Sequence, residues 1–385
     1  MADTVRTGSS VREQVALADY TTLRLGGPAR RLVAAATEAE IVAEVQAADE
    51  RGEPLLVLGG GSNLVVADEG FPGTVVHVTS AGVRHGTAGH GSGPAGRGPV
   101  ELTVAAGEDW DAVVAGCVGE GLAGLECLSG IPGRAGATPI QNVGAYGQEV
   151  AERIISVRVY DRARRAVIDL PGADCGFGYR TSAFKRSLQP VPGAVTGRFV
   201  VLSVRFLLPR DQQSTPVRYP ELARALGVPE GGRAPLADVR SAVLGLRRGK
   251  GMVLDPGDPD TRSVGSFFLN PVLDRGQLAA VERAARAVAG PGARVPRYPA
   301  GDGQVKVSAA WLIEQAGFRK GYPAAGAATG PAGARISSKH TLALVNPGEA
   351  TTAGLLALAR EIREGVRAAF GVELASEPVL VGAGL

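Results

Sequence analysis

Three residues far apart in the chain stand in settings suited to handling a proton and a carboxylate. Ser266 follows Gly265, precedes Phe267 and Phe268, and the segment closes on Asn270-Pro271. Glycine permits a tight turn or a close approach, and the Asn-Pro pair marks a stop. Between dry aromatic walls a single O–H donor counts for more than in water. Read by itself, the segment is more simply a buried turn whose serine bonds to backbone. Arg180, beside Tyr179 in GFGYRTSAFK, offers a charged planar fork that matches a carboxylate or phosphate. The plainer reading is an arginine on a surface strand. Glu377 lies before Pro378 in the apolar tail VELASEPVLVG, where a carboxylate is costly unless paired. Tyr219 in VRYPEL is a packed tyrosine or a ligand contact. Gln315, on the Trp311 helix, faces solvent or a ligand.

Two glycine-rich stretches can carry a phosphate-bearing ligand. Gly59-Gly60-Gly61-Ser62-Asn63 directly follows the apolar run LLVL, so successive backbone N–H groups can face an anion. No G-K-[ST] follows and no long helix follows, which excludes a Walker loop and the Rossmann fingerprint. A glycine-rich hairpin remains the alternative. The second stretch joins Ile131-Pro132-Gly133 to PIQNVGAYG (139–147). Together they point to a large dinucleotide-like cofactor held by backbone groups.

The elements that must position these residues are legible from periodicity. Residues 20–78 read as strand, helix and strand, with Thr37 and Glu40 as a capping box, Ile41, Val45 and Ala48 as the buried stripe, and Gly52 as the stop. Strands are expected at 55–66 (interrupted by the glycines), 71–78, 100–107, 154–161, 166–170 and 200–208. Residues 121–150 hold too much Gly and Pro for a regular element and too much apolar residue for disorder. Residues 86–99, GTAGHGSGPAGRGP, read as a mobile surface insert. Helices are expected from 238 and over 275–289, 308–316 and 351–370, with 254–263 as a linker and 372–382 as a last strand carrying Glu377.

The bulk numbers exclude several classes. A chain of 385 residues with 45% hydrophobic content forms two or three domains, and 55 glycines imply many tight turns. A formal net charge of +3 with interspersed signs argues against nucleic-acid and membrane partners. Three cysteines without C-x-x-C spacing give neither a disulfide framework nor a metal site. The N-terminus has no apolar core and no run reaches membrane-span length, so a cytoplasmic protein is expected.

Taken together, GGGSNL, IPG…PIQNVGAYG, GYR-x-S-x-F, GSFFLNP, AAWLIEQAG and SEPVLVG resemble the UDP-N-acetylenolpyruvoylglucosamine reductase family, in its order, from about residue 20 to 382. VRYPEL makes the chain look like the subclass with a tyrosine-bearing loop over the substrate. The resemblance implies an α+β chain: an FAD-binding module of the vanillyl-alcohol-oxidase type, in two α/β subdomains (1–78, joined by 372–385, and 79–253), then an α+β substrate-binding domain (254–371). It implies non-covalent FAD, NADPH as co-substrate, and reduction of UDP-N-acetylglucosamine enolpyruvate to UDP-N-acetylmuramate for peptidoglycan precursors, by a monomer. Ser266 matches the family's proton donor, and Arg180 and Glu377 the pair flanking the substrate carboxylate. Tyr179, Tyr219, Lys250, Asn270 and Gln315 match substrate contacts. Gly59, Gly60, Gly61, Ser62, Asn63 and Leu64, with Ile131, Pro132, Gly133, Gln141, Asn142, Gly144, Ala145 and Tyr146, match cofactor contacts. The segment 321–340 is Gly/Ala-expanded, so no contact is carried onto it.

The chemistry is consistent with those roles. Hydride arriving at the enolpyruvyl methylene leaves enolate-like charge beside the carboxylate, which a preorganised guanidinium stabilises. A hydroxyl held in line can then protonate the strongly basic carbon. Two rivals are an FAD-dependent sugar or alcohol oxidase of the same cofactor fold, for which Cys127 is a candidate flavin link, and a non-enzymatic sugar-nucleotide binder, which would not need Ser266, Arg180 and Glu377 together.

Overall fold

The computed structural model describes residues 10–87, 98–188, 195–301, 303–323 and 333–385. Most of the expected 86–99 insert and the centre of the 321–340 expansion lie outside the described residues. Gly86 and Thr87, however, belong to strand Val83–Thr87, so regular pairing extends into the expected insert. The chain divides into two compact units.

The first unit comprises Met1–Val15, Ala29–Gly61 and Phe71–Arg248. Its smaller sheet runs in the order Val11–Ala16, Pro28–Ala35, Phe71–Val78, Leu55–Leu58, the last three strands mutually parallel. Helix Glu38–Glu50 crosses between parallel strands, opened by the Thr37–Glu40 capping box and stopped at Gly52 in the left-handed region, φ +61°. Its buried face is Ile41, Val45 and Ala48. Because parallel strands share one direction, Leu58 and His77 pair at their carboxyl ends and deliver Gly59 to that edge. The larger sheet is antiparallel, in the order Ala166–Pro171, Ile154–Asp161, Phe199–Leu208, Val100–Ala105, Val83–Thr87. Helix Trp110–Gly119 packs fully buried Trp110 against Phe206, ring centroids 5.9 Å apart. Burying such side chains contributes about 1.5–3 kcal/mol each.

The second unit comprises Ala16–Pro28, Ser62–Gly70 and Gly249–Leu385. Helix Thr352–Phe370 buries Leu355, Ala359, Ile362 and Val366 completely, as the 3.6-residue spacing requires. Helix Arg275–Ala289 adds Val281 and Ala285, and helix Ala309–Gln315 adds Leu312 and Ile313. Strand Ser263–Ser266 pairs antiparallel with Ala343–Val345, which pairs in turn with Arg335–Ile336. The segment expected to be a linker instead contains the 3-10 turn Pro259–Thr261. Its Asp260 is buried and accepts hydrogen bonds from Arg335 and Ser338. The final strand is shorter than expected. Val379–Val381 pairs parallel with Leu64–Val66, while Glu377 precedes it and is half-buried.

Candidate active site

Glycine in the first loop answers a packing demand. A Cβ on Gly60 would lie 2.8 Å from the Cα of Gly133, and one on Gly59 would lie 3.4 Å from the Cβ and Cγ of Arg134. The two glycine-rich stretches therefore touch through their backbones at a place where no side chain fits. The backbone N–H groups of Gly60, Gly61, Gly133 and Arg134 donate to no acceptor among the described residues. Unpaired amides from two loops, at the carboxyl edge of a parallel sheet, are donors of the kind that an oxyanion accepts from.

In the second loop the carbonyls, by contrast, are consumed. Arg180 donates from Nη1 to the Asn142 carbonyl at 3.2 Å and from Nη2 to the Gly144 carbonyl at 2.6 Å. Ser182 donates to the Ile140 carbonyl at 2.7 Å, and Lys185 to Gln141 Oε1 at 2.7 Å. The GYR-x-S-x-F segment thus braces the loop, and Phe184 anchors the brace in the core. Arg180 is not on a strand. It occupies a tight turn closed by the Gly178–Thr181 bridge, at φ +52°, with its guanidinium 5.9 Å from the Tyr179 ring centroid.

Asn142 is likewise committed inside the protein. Its amide donates to Glu149 at 2.8 Å and to the Gly178 carbonyl at 2.9 Å, and its Oδ1 accepts from Ala151 N–H at 3.3 Å. Asn142 (φ +43°), Tyr146 (φ +48°) and Arg180 are three of the six non-glycine residues with positive φ among the described residues. Such strain concentrates where geometry is over-determined by function. Tyr146 and Gly147 form the turn of the hairpin Gly144–Ala145/Gln148–Glu149. The Tyr146 ring meets half-exposed Tyr219 edge-on, centroids 5.4 Å apart, and burial pushes its phenol up to about 12.

Beneath this hairpin lies a polar pivot that sequence patterning did not indicate. Fully buried Glu126 accepts from Gly124 N–H at 2.5 Å, Gln148 Nε2 at 2.8 Å and Thr215 N–H at 2.9 Å. Gln148 in turn accepts from Cys127 N–H at 2.9 Å and donates to the Thr215 hydroxyl at 2.6 Å. The pivot ties the end of the second loop to the segment leading to Tyr219. Nearby, burial pushes the Arg247 guanidinium down to about 10, with Arg180's like charge adding to the effect; Tyr146 and Asp111 oppose it. Asp111 accepts from Arg240 at 2.6 Å and from Gly130 N–H at 2.6 Å, fixing the entrance to the second loop. Burial would raise the Asp111 carboxyl, but Arg240 and the Gly130 amide hold it below its ordinary value. Cys127 is buried, and desolvation followed by the Glu126 charge pushes its thiol far up, which disfavours a covalent flavin link there.

In the second unit, Phe267 and Phe268 are fully buried with centroids 5.1 Å apart, and Gly265 turns the strand at φ +74°. Phe267 N–H donates to the Leu342 carbonyl at 2.7 Å and its carbonyl accepts from Glu377 N–H at 2.8 Å. Ser266 and Glu377 therefore belong to adjacent segments of one framework. The Ser266 hydroxyl is half-buried and bonds to no described residue. Asn270 Oδ1 accepts from Ala309 N–H at 2.9 Å, so its carbonyl end caps a helix and its NH2 end is left over. Gln315 ends that helix, half-buried, and Lys250 follows helix Leu236–Gly249 in the turn.

Comparison with known proteins gives these features a family. Residues 258–381 match the model of the UDP-N-acetylenolpyruvoylglucosamine reductase C-terminal domain, and residues 29–169 match an FAD-binding domain. The chain is 55% identical over 374 residues to the UDP-N-acetylenolpyruvoylglucosamine reductase of Thermobifida fusca, covering 97% of this chain and 99% of the relative. It is 56% identical over 385 residues to the enzyme of the same name from Saccharopolyspora erythraea, covering 100% and 99%. The crystal structure of the Thermus caldophilus reductase superposes with a TM-score of 0.60 at 26% identity, over 97% of this chain and 99% of that one. The chain belongs to the UDP-N-acetylenolpyruvoylglucosamine reductase family.

Proposed function

We propose that the protein reduces UDP-N-acetylglucosamine enolpyruvate to UDP-N-acetylmuramate with NADPH, in peptidoglycan precursor synthesis. The observation that carries this reading is the Ser266 hydroxyl, held by backbone pairing beside Glu377 and bonded to no described residue. FAD, when bound, supplies the hydride. The unpaired amides of the first and second loops fit its pyrophosphate, and the brace through Arg180, Ser182 and Lys185 fixes the second loop before the cofactor arrives.

Ser266 then delivers a proton to the carbon that carries enolate-like charge, a transfer typically worth about 10²–10⁴-fold in rate. Its main chain cannot drift, because Phe267 is hydrogen-bonded on both sides. Glu377 and Arg180 are proposed to flank the substrate carboxylate. Because Arg180 already donates to two main-chain carbonyls, it is a preorganised charge rather than a free fork. Tyr179, Tyr219, Lys250, Gln315 and the NH2 end of Asn270 are proposed to contact the UDP-sugar. The Tyr146–Tyr219 contact supports the tyrosine-loop subclass. We further propose residues 1–78, joined by 372–385, and residues 79–253 as the two halves of the cofactor module, 254–371 as the substrate domain, and a cytoplasmic monomer. No helix among the described residues is long and apolar enough to cross a membrane.

Separating the half-reactions tests the reading. The purified protein should be yellow, NADPH should bleach it, and the enolpyruvyl substrate should restore the colour. Ser266→Ala should keep the bleaching rate and lose the restoration. Equal loss in both steps removes the proton-donor role. A protein that cannot be reconstituted with FAD removes the whole proposal.

A further inference from the structure

Arg134 directly follows Ile131-Pro132-Gly133, yet neither motif nor resemblance gives it a role. Its Cβ and Cγ lie against Gly59, where an added Cβ would approach them to 3.4 Å, so its stem packs on the first loop. The backbone under it is fixed on both sides. Trp110 N–H donates to the Gly133 carbonyl at 3.1 Å, and Ala135 N–H to the Glu108 carbonyl at 2.9 Å. The guanidinium itself makes no hydrogen bond or ion pair with any described residue, although it is half-buried. Asp109, facing it across the bridge, is occupied capping helix Trp110–Gly119, where it accepts from Ala112 N–H at 3.0 Å. The neighbouring field is positive: burial, then the charges of Arg134 and Arg12, push the His77 imidazole down from its ordinary value.

A half-buried arginine without a carboxylate, its stem against Gly59 where two loops with unpaired amides touch, offers a charge that an anion can complete. We propose that Arg134 is a cofactor-binding residue whose guanidinium pairs with the pyrophosphate of FAD, adding a charged clamp to the backbone cradle. The inference rests on the FAD reading of these loops. It assigns the affinity for FAD partly to one side chain, and makes that affinity sensitive to salt, because a half-buried charge pair is still screened by ions.

The test is a titration of the flavin-free full-length protein with FAD, followed by fluorescence quenching at low and high ionic strength. Arg134→Gln should weaken FAD about tenfold to a hundredfold at low salt, the worth of one hydrogen-bonded charge pair, and should flatten the salt dependence. Arg134→Lys should fall between. Thermal melts of the flavin-free proteins confirm that the variants fold alike. An unchanged dissociation constant in Arg134→Gln overturns the inference and leaves the FAD reading intact. A weaker constant with the wild-type salt slope overturns it too, since it indicates packing over Gly59 rather than charge. A wild-type protein that takes up no FAD overturns both.

Discussion

The second glycine-rich loop and the Ser266 segment solve opposite problems. In the loop, side chains brought from other segments bond to the backbone: Arg180, Ser182, Lys185, Asp111 and Glu126 each satisfy a carbonyl, an amide or a polar side chain at or beside it. At Ser266 the backbone pairs with itself, and the polar side chains are left over: the Ser266 hydroxyl, the NH2 of Asn270 and Gln315 bond to no described residue. Under the proposed function, the first arrangement fixes a surface for a tightly held cofactor. The second, under the same proposal, holds out groups for a molecule that must arrive, react and leave. Polar residues near the loop should therefore fail through stability or cofactor affinity, and those near Ser266 through rate.

The largest effect expected is at Ser266. Ser266→Ala should slow flavin reoxidation by the enolpyruvyl substrate about 10²–10⁴-fold, with melting temperature and flavin content unchanged in calorimetry and absorbance. A comparable loss of flavin content would erase the contrast. Glu126→Ala should act the other way. Removing a buried carboxylate that accepts several hydrogen bonds strands its donors and should cost about 2–4 kcal/mol in a denaturant titration, with the flavin-normalised rate constant of proton transfer retained.

Arg180→Lys sharpens the boundary. Lysine cannot span both the Asn142 and Gly144 carbonyls, so FAD binding should weaken by about 1–2 kcal/mol even without substrate. The substrate half-reaction should slow as well, from the proposed place of Arg180 beside the substrate carboxylate; a defect confined to that half-reaction would remove the brace's role in holding FAD.

The smallest effect is on acid stability. Asp111 has its folded-state carboxyl below the ordinary value, so it contributes stability that is present above the unfolded carboxylate range and is lost as pH falls through its folded value. Melting temperature should decline below about pH 4. Asp111→Asn should make that decline shallower, in melts collected across pH.

What the sequence could and could not show follows from the range of the interactions. The Thr37–Glu40 box, the Ser308 cap and the stripe Leu355–Val366 are local patterns, and each stands where its spacing places it. The brace is not local. Arg180 reaches carbonyls 38 and 36 residues earlier, and nothing in GFGYRTSAFK distinguishes that from an arginine on a surface strand. Glu126 stands beside Cys127 in GLECLSG, with its partners Gln148 and Thr215 some 22 and 89 residues away. The apolar tail 372–382 reads as one strand carrying Glu377, but pairing with Leu64–Val66 begins at Val379. The touching glycines 60 and 133 look like turn formers, whereas it is the other loop's backbone that forbids a side chain at 60.

The proposed cradle is rich in donors. The loop carbonyls at 140, 142 and 144 are turned to their braces, and the amides at 60, 61, 133 and 134 are left over. A guest rich in acceptors finds partners there. The same rule does not tell a dinucleotide from a small oxyanion. Flavin-free protein kept in phosphate or sulfate should therefore be stabilised by the buffer and take up FAD more slowly than protein kept in chloride, as mass action at a shared cradle requires. The medium chosen for reconstitution thus becomes a competitor.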